Sequence, residues 1–293
     1  MSRLRRSLLF VPASSEKFFA KAKASQADTL IFDLEDAVAP ERKPAARETM
    51  KEVLHDSGFA RFERTVRINA LDTPYFLDDV LAMVAAGADG LVVPKTNSVD
   101  GILFVDRLVA LAEQRAGRAA GSVVLVPLIE QPAAIGNAFA IARATSRIAG
   151  IAFGHGDFSL AMGINAAPST EGVVFHARCQ VVMAAKAAGI TPIDNVFLDI
   201  PDVEGLIGET RQGKHLGYEG KACIHPSQVE PVNAVYTPTP EEVMYARELV
   251  AVFEQGVAEG KGAVAFRGRM IDGPIADIER IVLDRARKAG TRV

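Results

Sequence analysis

The sequence predicts a (β/α)8 barrel of the α/β class, followed by a helical extension. Short apolar runs rich in Val, Ile, Leu and Phe alternate with longer, Ala-rich segments of helical period, and eight such pairs follow one another. The runs are continuously apolar, which indicates strands covered on both faces, as in a parallel sheet. A length of 293 residues with 49% hydrophobic content suits one barrel of this kind.

The predicted strands are, in chain order, SLLFVP, TLIFDLE, RTVRINA, GLVVPK, VVLVPLIE, IAGIAFGH, ITPIDNVF and KACIHP. The helices predicted after them are SEKFFAKAKAS, PAARETMKEVLHDS, PYFLDDVLAMVAAG, SVDGILFVDRLVALAEQRAG, PAAIGNAFAIARAT, EGVVFHARCQVVMAAKAAG, PDVEGLIGETRQGKHLG and PSQVEPVNAVYT. Gly87, Gly189 and Gly217 fall where helices should end, which is typical of left-handed caps.

We expect the barrel to occupy residues 1–237 and the extension residues 238–293. The extension contains an amphipathic helix, a short segment and a last helix, with the sequences TPEEVMYARELVAVFEQGVAEG, KGAVAFRGRMIDGP and IADIERIVLDRARKAG. A segment this long is more than a loop. It either caps its own barrel or packs on a neighbouring subunit.

Composition narrows the class of protein. The 33 Lys and Arg residues nearly balance the 36 Asp and Glu residues, so no basic field favours nucleic acid. The two cysteines, Cys179 and Cys223, are too few for a disulfide framework and favour a reducing cytoplasm. The apolar part of MSRLRRSLLFVPASS is too short for a secretory signal, and no apolar run approaches the roughly 20 residues that cross a bilayer. We therefore expect a soluble, cytoplasmic protein without a membrane partner.

Polar residues collect at the carboxyl ends of the predicted strands, where barrels of this kind place their chemistry. They are Glu35, Asp36, Arg67, Asn69, Lys95, Glu130, His155, Asp157, Asp194 and His225. Glu130 and Asp157 contribute hard oxygen ligands from adjacent strands, which suits Mg²⁺. Zinc is less favoured, because no His and Cys cluster accompanies them. The alternative is that each carboxylate pairs with a base at the mouth, such as Arg67 or Lys95.

Arg67 has two interpretations from sequence. Its guanidinium suits a carboxylate or phosphate ligand, and it equally suits an ion pair with Glu35 or Asp36. Lys43 and Arg47, just after the second strand, either meet phosphates at the rim or lie on a solvated helix face.

His155, His225 and Cys223 are interpreted as structural residues. A histidine at a strand end is more often hydrogen-bonded than catalytic, and a cysteine inside a strand is more often a small buried hydrophobe than a nucleophile.

An ordered set of motifs resembles a known family. The stretches RSLLFVPA, DTLIFDLEDAV, RTVRINA, LVVPK, VPLIE, GKACIHP and MIDGP are similar to the citrate lyase β-subunit-like branch of the HpcH/HpaI aldolase/citrate lyase superfamily, which includes malyl-CoA and citramalyl-CoA lyases. The similarity covers nearly the whole chain. It implies a (β/α)8 barrel that uses Mg²⁺ to make or break a carbon–carbon bond between an acyl thioester and a 2-oxo acid.

The resemblance also implies roles for residues at the barrel mouth. Glu130 and Asp157 match the metal ligands, with Glu130 also next to the substrate. Arg67 matches the arginine that holds the substrate carboxylate during catalysis. The segment FGHGDF departs from the family pattern at His155 and Gly156, so the pocket beside the metal is expected to differ.

Further roles implied by the resemblance lie outside that cluster. Asp272, in MIDGP, matches an acid/base that family members donate from the carboxyl-terminal segment into a neighbouring subunit's site, which implies a homo-oligomer, a homotrimer or homohexamer. Lys43 and Arg47 resemble positions near the coenzyme A phosphates.

Three functions are expected to be distinguishable. The leading one is a Mg²⁺-dependent lyase that interconverts a 3-hydroxyacyl-CoA with an acyl-CoA such as acetyl-CoA and a 2-oxo acid such as glyoxylate, pyruvate or oxaloacetate. The second is a citrate lyase β subunit acting on a citryl-carrier thioester within a complex. The third is a non-catalytic relative that binds coenzyme A or a metabolite.

Overall fold

The computed structural model describes residues 3–165 and 169–291. The chain divides into two compact units: a barrel formed by residues 5–233, and a second unit formed by residues 234–291 together with residues 3–4.

Among the described residues, eight parallel strands close into a barrel in chain order, and the last strand pairs with the first. The strands are β1 Ser7–Pro12, β2 Thr29–Asp33, β3 Glu63–Arg67, β4 Gly90–Val93, β5 Val124–Ile129, β6 Gly150–Phe153, β7 Thr191–Asp194 and β8 Gly220–Cys223. Each overlaps one of the predicted apolar runs, so the predicted fold class is confirmed.

Helices connect the strands. They are α1 Glu16–Ala24, α2 Lys43–His55, α3 Phe76–Ala85, α4 Val99–Arg115, α5 Pro132–Ala142, α6 His155–Met162, α7 Gly172–Ala188, α8 Val203–Leu216 and α9 Val229–Tyr236. Gly189 and Gly217 end α7 and α8 in the left-handed conformation, as expected. The short helix α6 was not expected, because its eight residues carry no clear apolar period. Asp157 therefore lies in the first turn of a helix and not in a loop.

The interior of the barrel is apolar below its mouth. Because successive strand side chains alternate between the two faces of the sheet, every second residue points inward. The inward side chains form a buried cluster of Leu8, Ile31, Val92, Val126, Leu128, Ala152 and Ile193, with Phe10 packed against it. This cluster forms an apolar floor beneath the polar residues of the strand ends.

A buried ionic network joins β7 and β8 to the surrounding helices. The guanidinium of Arg178, on α7, donates to both carboxylate oxygens of Asp194 at 3.0 and 2.7 Å, and both side chains are fully buried. Lys221, on β8, donates to Glu209 of α8 at 2.6 Å. Asp194 thus belongs to the layer between the sheet and the helices, although it stands at a strand end.

The second unit contains two helices and a hairpin. They are α10 Pro240–Ala258, β9 Ala263–Phe266, β10 Arg269–Asp272 and α11 Gly273–Lys288. The antiparallel hairpin was not expected from sequence; its turn places Arg267 and Gly268 at φ 45° and 76°, the conformation of a two-residue hairpin turn. Two buried apolar clusters hold α10 against α11 and against the hairpin. No helix of the described segments is long and apolar enough to span a membrane.

The Arg178–Asp194 pair predicts a large effect on stability. Asp194→Ala should lower the free energy of unfolding by about 3–5 kcal/mol, because it leaves a buried guanidinium without its carboxylate. Urea denaturation measures this, and Glu48→Ala, which removes an exposed acid on α2, is the control that should change little. An Asp194→Ala protein as stable as the original would contradict this role.

Candidate active site

The carboxyl ends of the barrel strands open into a cavity of about 450 Å³. Five of the polar residues singled out from sequence line it: Asp36, Arg67, Glu130, His155 and Asp157. Asp33 lines it as well, and the apolar cluster of the barrel interior lines its floor. The cavity therefore combines a charged rim with an apolar base.

Glu130 follows β5 and is 2% exposed. Its Oε1 accepts a hydrogen bond of 2.7 Å from the backbone N–H of Lys95. The side chain lies over the backbone of Gly154, where any added Cβ would overlap both the Glu130 carboxylate and its Cβ. Glycine at position 154 thus leaves room for the carboxylate to reach the cavity.

The electrostatic environment of Glu130 opposes its ionisation. Burial raises its pKa to about 7, and the charges of Asp157 and Glu35 act in the same direction. The Lys95 N–H and the Arg67 guanidinium partly offset this. A cation placed beside Glu130 would compensate for the lost hydration and for the repulsion of the neighbouring carboxylates.

Asp157 lies in the first turn of α6 and is half-buried. Its carboxylate is there favoured by the positive end of the helix dipole. In residues 3–165 and 169–291, no group of three or more His, Cys, Asp or Glu side chains is placed to hold a metal ion. The Glu130 and Asp157 pair fits Mg²⁺, which takes one or two protein carboxylates and completes its shell with water or substrate; it does not form a closed zinc site.

Arg67, at the end of β3, is fixed by three acidic residues. Its Nε and Nη2 donate to the two oxygens of Asp33 at 2.7 and 2.6 Å. Its Nη1 lies 3.0 Å from Glu35 and 3.2 Å from Asp36. The ion-pair interpretation with Glu35 and Asp36 therefore holds in this structure. The guanidinium still borders the cavity, so an anion can also approach it.

Asp33 is a site residue that the sequence interpretation missed. It pairs in register with Arg67 on the adjacent strand, and its carboxylate accepts from the backbone N–H groups of Glu35 and Ala37 at 2.9 and 3.2 Å. The alternation within TLIFD, which turns Ile31 and Asp33 to the same face, is the signal that identifies it.

Lys43 and Arg47 have partners within the barrel unit. The ammonium of Lys43 donates to the backbone carbonyls of Leu34 and Glu35, each at 2.8 Å, and burial lowers its pKa. Arg47 pairs with Asp79 at 2.9 Å. Neither is among the described residues that line the cavity. Their assignment to coenzyme A phosphates stays a prediction, and these contacts do not favour it.

The remaining sequence candidates occupy different settings. His225 begins a 3₁₀ turn and its Nδ1 lies 2.7 Å from the Ser227 hydroxyl, consistent with a structural role. His155 is buried in the cavity wall, with its ring stacked on Phe153 at 6.4 Å between centroids. Asp272 belongs to the second unit, where it caps the amino terminus of α11.

Comparison with known proteins places the chain in a family. Residues 6–226 match the family model described as HpcH/HpaI aldolase/citrate lyase. The chain is 37% identical to the citrate lyase subunit beta of Escherichia coli K12, over 99% of this chain and 96% of that protein. It is 35% identical to the L-malyl-CoA/β-methylmalyl-CoA lyase of Rhodobacter capsulatus, over 92% of this chain and 91% of that one.

A solved structure extends the similarity to three dimensions. CitE from Mycobacterium tuberculosis, in complex with magnesium, acetoacetate and coenzyme A, superposes with a TM-score of 0.77 at 32% identity, over 97% of this chain and 98% of that chain. With a family model that covers most of the barrel and relatives that span nearly all of the chain, the protein belongs to the HpcH/HpaI aldolase/citrate lyase family.

Proposed function

We propose that this protein is a Mg²⁺-dependent carbon–carbon lyase that cleaves or forms a 3-hydroxyacyl-CoA thioester, with an acyl-CoA and a 2-oxo acid as the other reactants. The observation that carries the proposal is the meeting of Glu130, Asp157 and Arg67 in one cavity at the barrel mouth. The malyl-CoA lyase relative and the magnesium, acetoacetate and coenzyme A bound to the CitE structure support the same chemistry.

Glu130 and Asp157 would hold the metal, which supplies Lewis-acid polarisation of the 2-oxo acid carbonyl when bound. Arg67 would hold and neutralise the carboxylate of that acid. Because Asp33 fixes the guanidinium through two hydrogen bonds, Arg67 is oriented before the substrate arrives.

Proton transfer completes the reaction. In the cleavage direction, a base takes the hydroxyl proton of the 3-hydroxyacyl thioester, the carbon–carbon bond breaks to give the 2-oxo acid, and the resulting thioester enolate is protonated at carbon. Asp272 is our candidate for the acid/base at the thioester carbon. It would act from the carboxyl-terminal unit of a neighbouring subunit in a homotrimer or homohexamer.

A panel of CoA esters tests the function. With Mg²⁺, the purified protein should release a 2-oxo acid from at least one 3-hydroxyacyl-CoA ester, and EDTA should abolish the release. Glu130→Gln, which keeps the side-chain shape but removes the charge, should lose most of the activity. If no ester is cleaved, while a citryl-carrier thioester is, the protein acts as a citrate lyase β subunit instead.

The role of Asp272 can be separated from its structural role. Asparagine caps helices about as well as aspartate does, so Asp272→Asn should leave α11 intact and lower kcat by about 100-fold or more, with little change in KM. Asp277→Asn, on the exposed face of the same helix, is the matched control. Near-normal turnover of the Asp272→Asn enzyme would remove this residue from the mechanism.

A further inference from the structure

Lys95 contacts both halves of the site through two different groups. It follows β4, and its backbone N–H donates to Glu130 at 2.7 Å. Its ammonium donates to Glu35 Oε1 at 2.9 Å. The other oxygen of Glu35 lies 3.0 Å from Arg67. One residue thus connects a proposed metal ligand with the proposed anion-binding arginine.

The backbone of Lys95 adopts a conformation that a lysine seldom takes. Its φ is 49°, in the left-handed region, which residues other than glycine and asparagine adopt only at a cost in energy. Of the described residues, one other that is not glycine has a positive φ, Arg267 in the hairpin turn of the second unit. Such strain persists where surrounding contacts enforce it and is common at functional sites.

The neighbouring residues hold this turn in place. The Thr96 hydroxyl donates to the carbonyl of Val93 at 2.9 Å, and the side-chain amide of Asn97 donates to Gln131 at 2.8 Å. Gln131 is the residue after Glu130 in the chain, so the turn after β4 is tied to the turn after β5. The geometry therefore aims the Lys95 N–H at the Glu130 carboxylate.

The ammonium has a separate electrostatic effect. Asp33, Glu35 and Asp36 all contact the single guanidinium of Arg67. Lys43 also interacts with these carboxylates, but Lys95 is the lysine that binds the Glu35 carboxylate directly. Without the Lys95 ammonium, more of the charge of Glu35 would act on Arg67, and the positive potential that Arg67 offers to an incoming carboxylate would fall.

We propose that Lys95 is a positioning residue with two functions: its left-handed backbone N–H orients Glu130 for the metal, and its ammonium binds Glu35 so that Arg67 can bind an anionic substrate. The first function concerns metal affinity and does not depend on the reaction. The second rests on the proposed lyase function.

Substitutions at position 95 separate the backbone from the side chain. All four of the following variants lose the ammonium. Lys95→Gly and Lys95→Asn tolerate a positive φ, whereas Lys95→Ala disfavours a positive φ and Lys95→Val disfavours it more strongly. Titration calorimetry with Mg²⁺ alone should give affinities in the order Gly and Asn, then Ala, then Val. The Val variant should bind about 10-fold or more weakly than the Gly variant, the usual effect of losing a partner of a metal ligand.

Controls distinguish this effect from unfolding. The thermal midpoint of each variant shows whether it folds, and where Lys95→Val does not, Lys95→Ala provides the same comparison with less strain. Arg267→Val strains the other positive-φ position and should leave Mg²⁺ affinity unchanged. Equal Mg²⁺ affinity across the four Lys95 variants would overturn the backbone function, and so would a loss in Lys95→Gly as large as that in Lys95→Val.

The ammonium is tested by steady-state kinetics with an ester that the protein cleaves, followed in the condensation direction. Lys95→Asn should raise the KM for the 2-oxo acid by about 10-fold, the effect of losing a charge-assisted hydrogen bond, with a smaller change in kcat. Lys95→Arg keeps the cation and should restore much of the affinity. An unchanged KM in Lys95→Asn would overturn this half. If no ester is cleaved, the proposed function fails while the Mg²⁺ titration still decides the backbone half.

Discussion

The site depends on one buried carboxylate. Glu130 is almost fully removed from water, yet it lies near the negative charges of Asp157 and Glu35, and these conditions raise its pKa to about 7. Such a group is stable as an anion only beside a compensating charge. The protein supplies one backbone N–H from Lys95 and the more distant charge of Arg67. A divalent cation would provide the remaining compensation, which ties the burial of this side chain directly to the chemistry we propose.

Arg67 is the reverse case, because its positive charge is compensated by the acidic residues around it. The contacts of Asp33, Glu35 and Asp36 hold the Arg67 guanidinium in a fixed orientation and reduce the positive potential that it offers to an anion. Lys95 adds a positive charge to this group by binding Glu35. The proposed metal ligands and the proposed anion-binding arginine therefore share charged neighbours at the mouth of the barrel. Changing one charge is expected to affect both metal and substrate binding.

The barrel and the centre of the site could be predicted from sequence because both follow from strand periodicity. Eight apolar runs predicted the fold class, and the rule that chemistry lies at strand ends selected ten polar residues, Glu130, Asp157 and Arg67 among them. The family resemblance then singled out these three. The same rule also selected Asp194, which does not line the cavity. A residue at a strand end can point either into the barrel or toward the helices. Arg178 on α7 draws Asp194 outward, and such a long-range contact has no local signal. Asp33 was missed because it was counted as part of its strand. The left-handed backbone of Lys95 could not be predicted, because the residue type alone does not specify the backbone conformation of a lysine.

The central claim is that the placement of the Glu130 carboxylate creates the metal site, and two neighbouring glycines allow a direct test. A Cβ at Gly154 would overlap Glu130, whereas a Cβ at Gly156 would meet no atom within 4 Å. Mg²⁺ affinity should be measured by calorimetry for Gly154→Ala and Gly156→Ala, with folding verified by circular dichroism. The account predicts that Gly154→Ala weakens Mg²⁺ binding by about 10-fold or more while Gly156→Ala leaves it unchanged. A folded Gly154→Ala protein that binds Mg²⁺ as tightly as the original would contradict it.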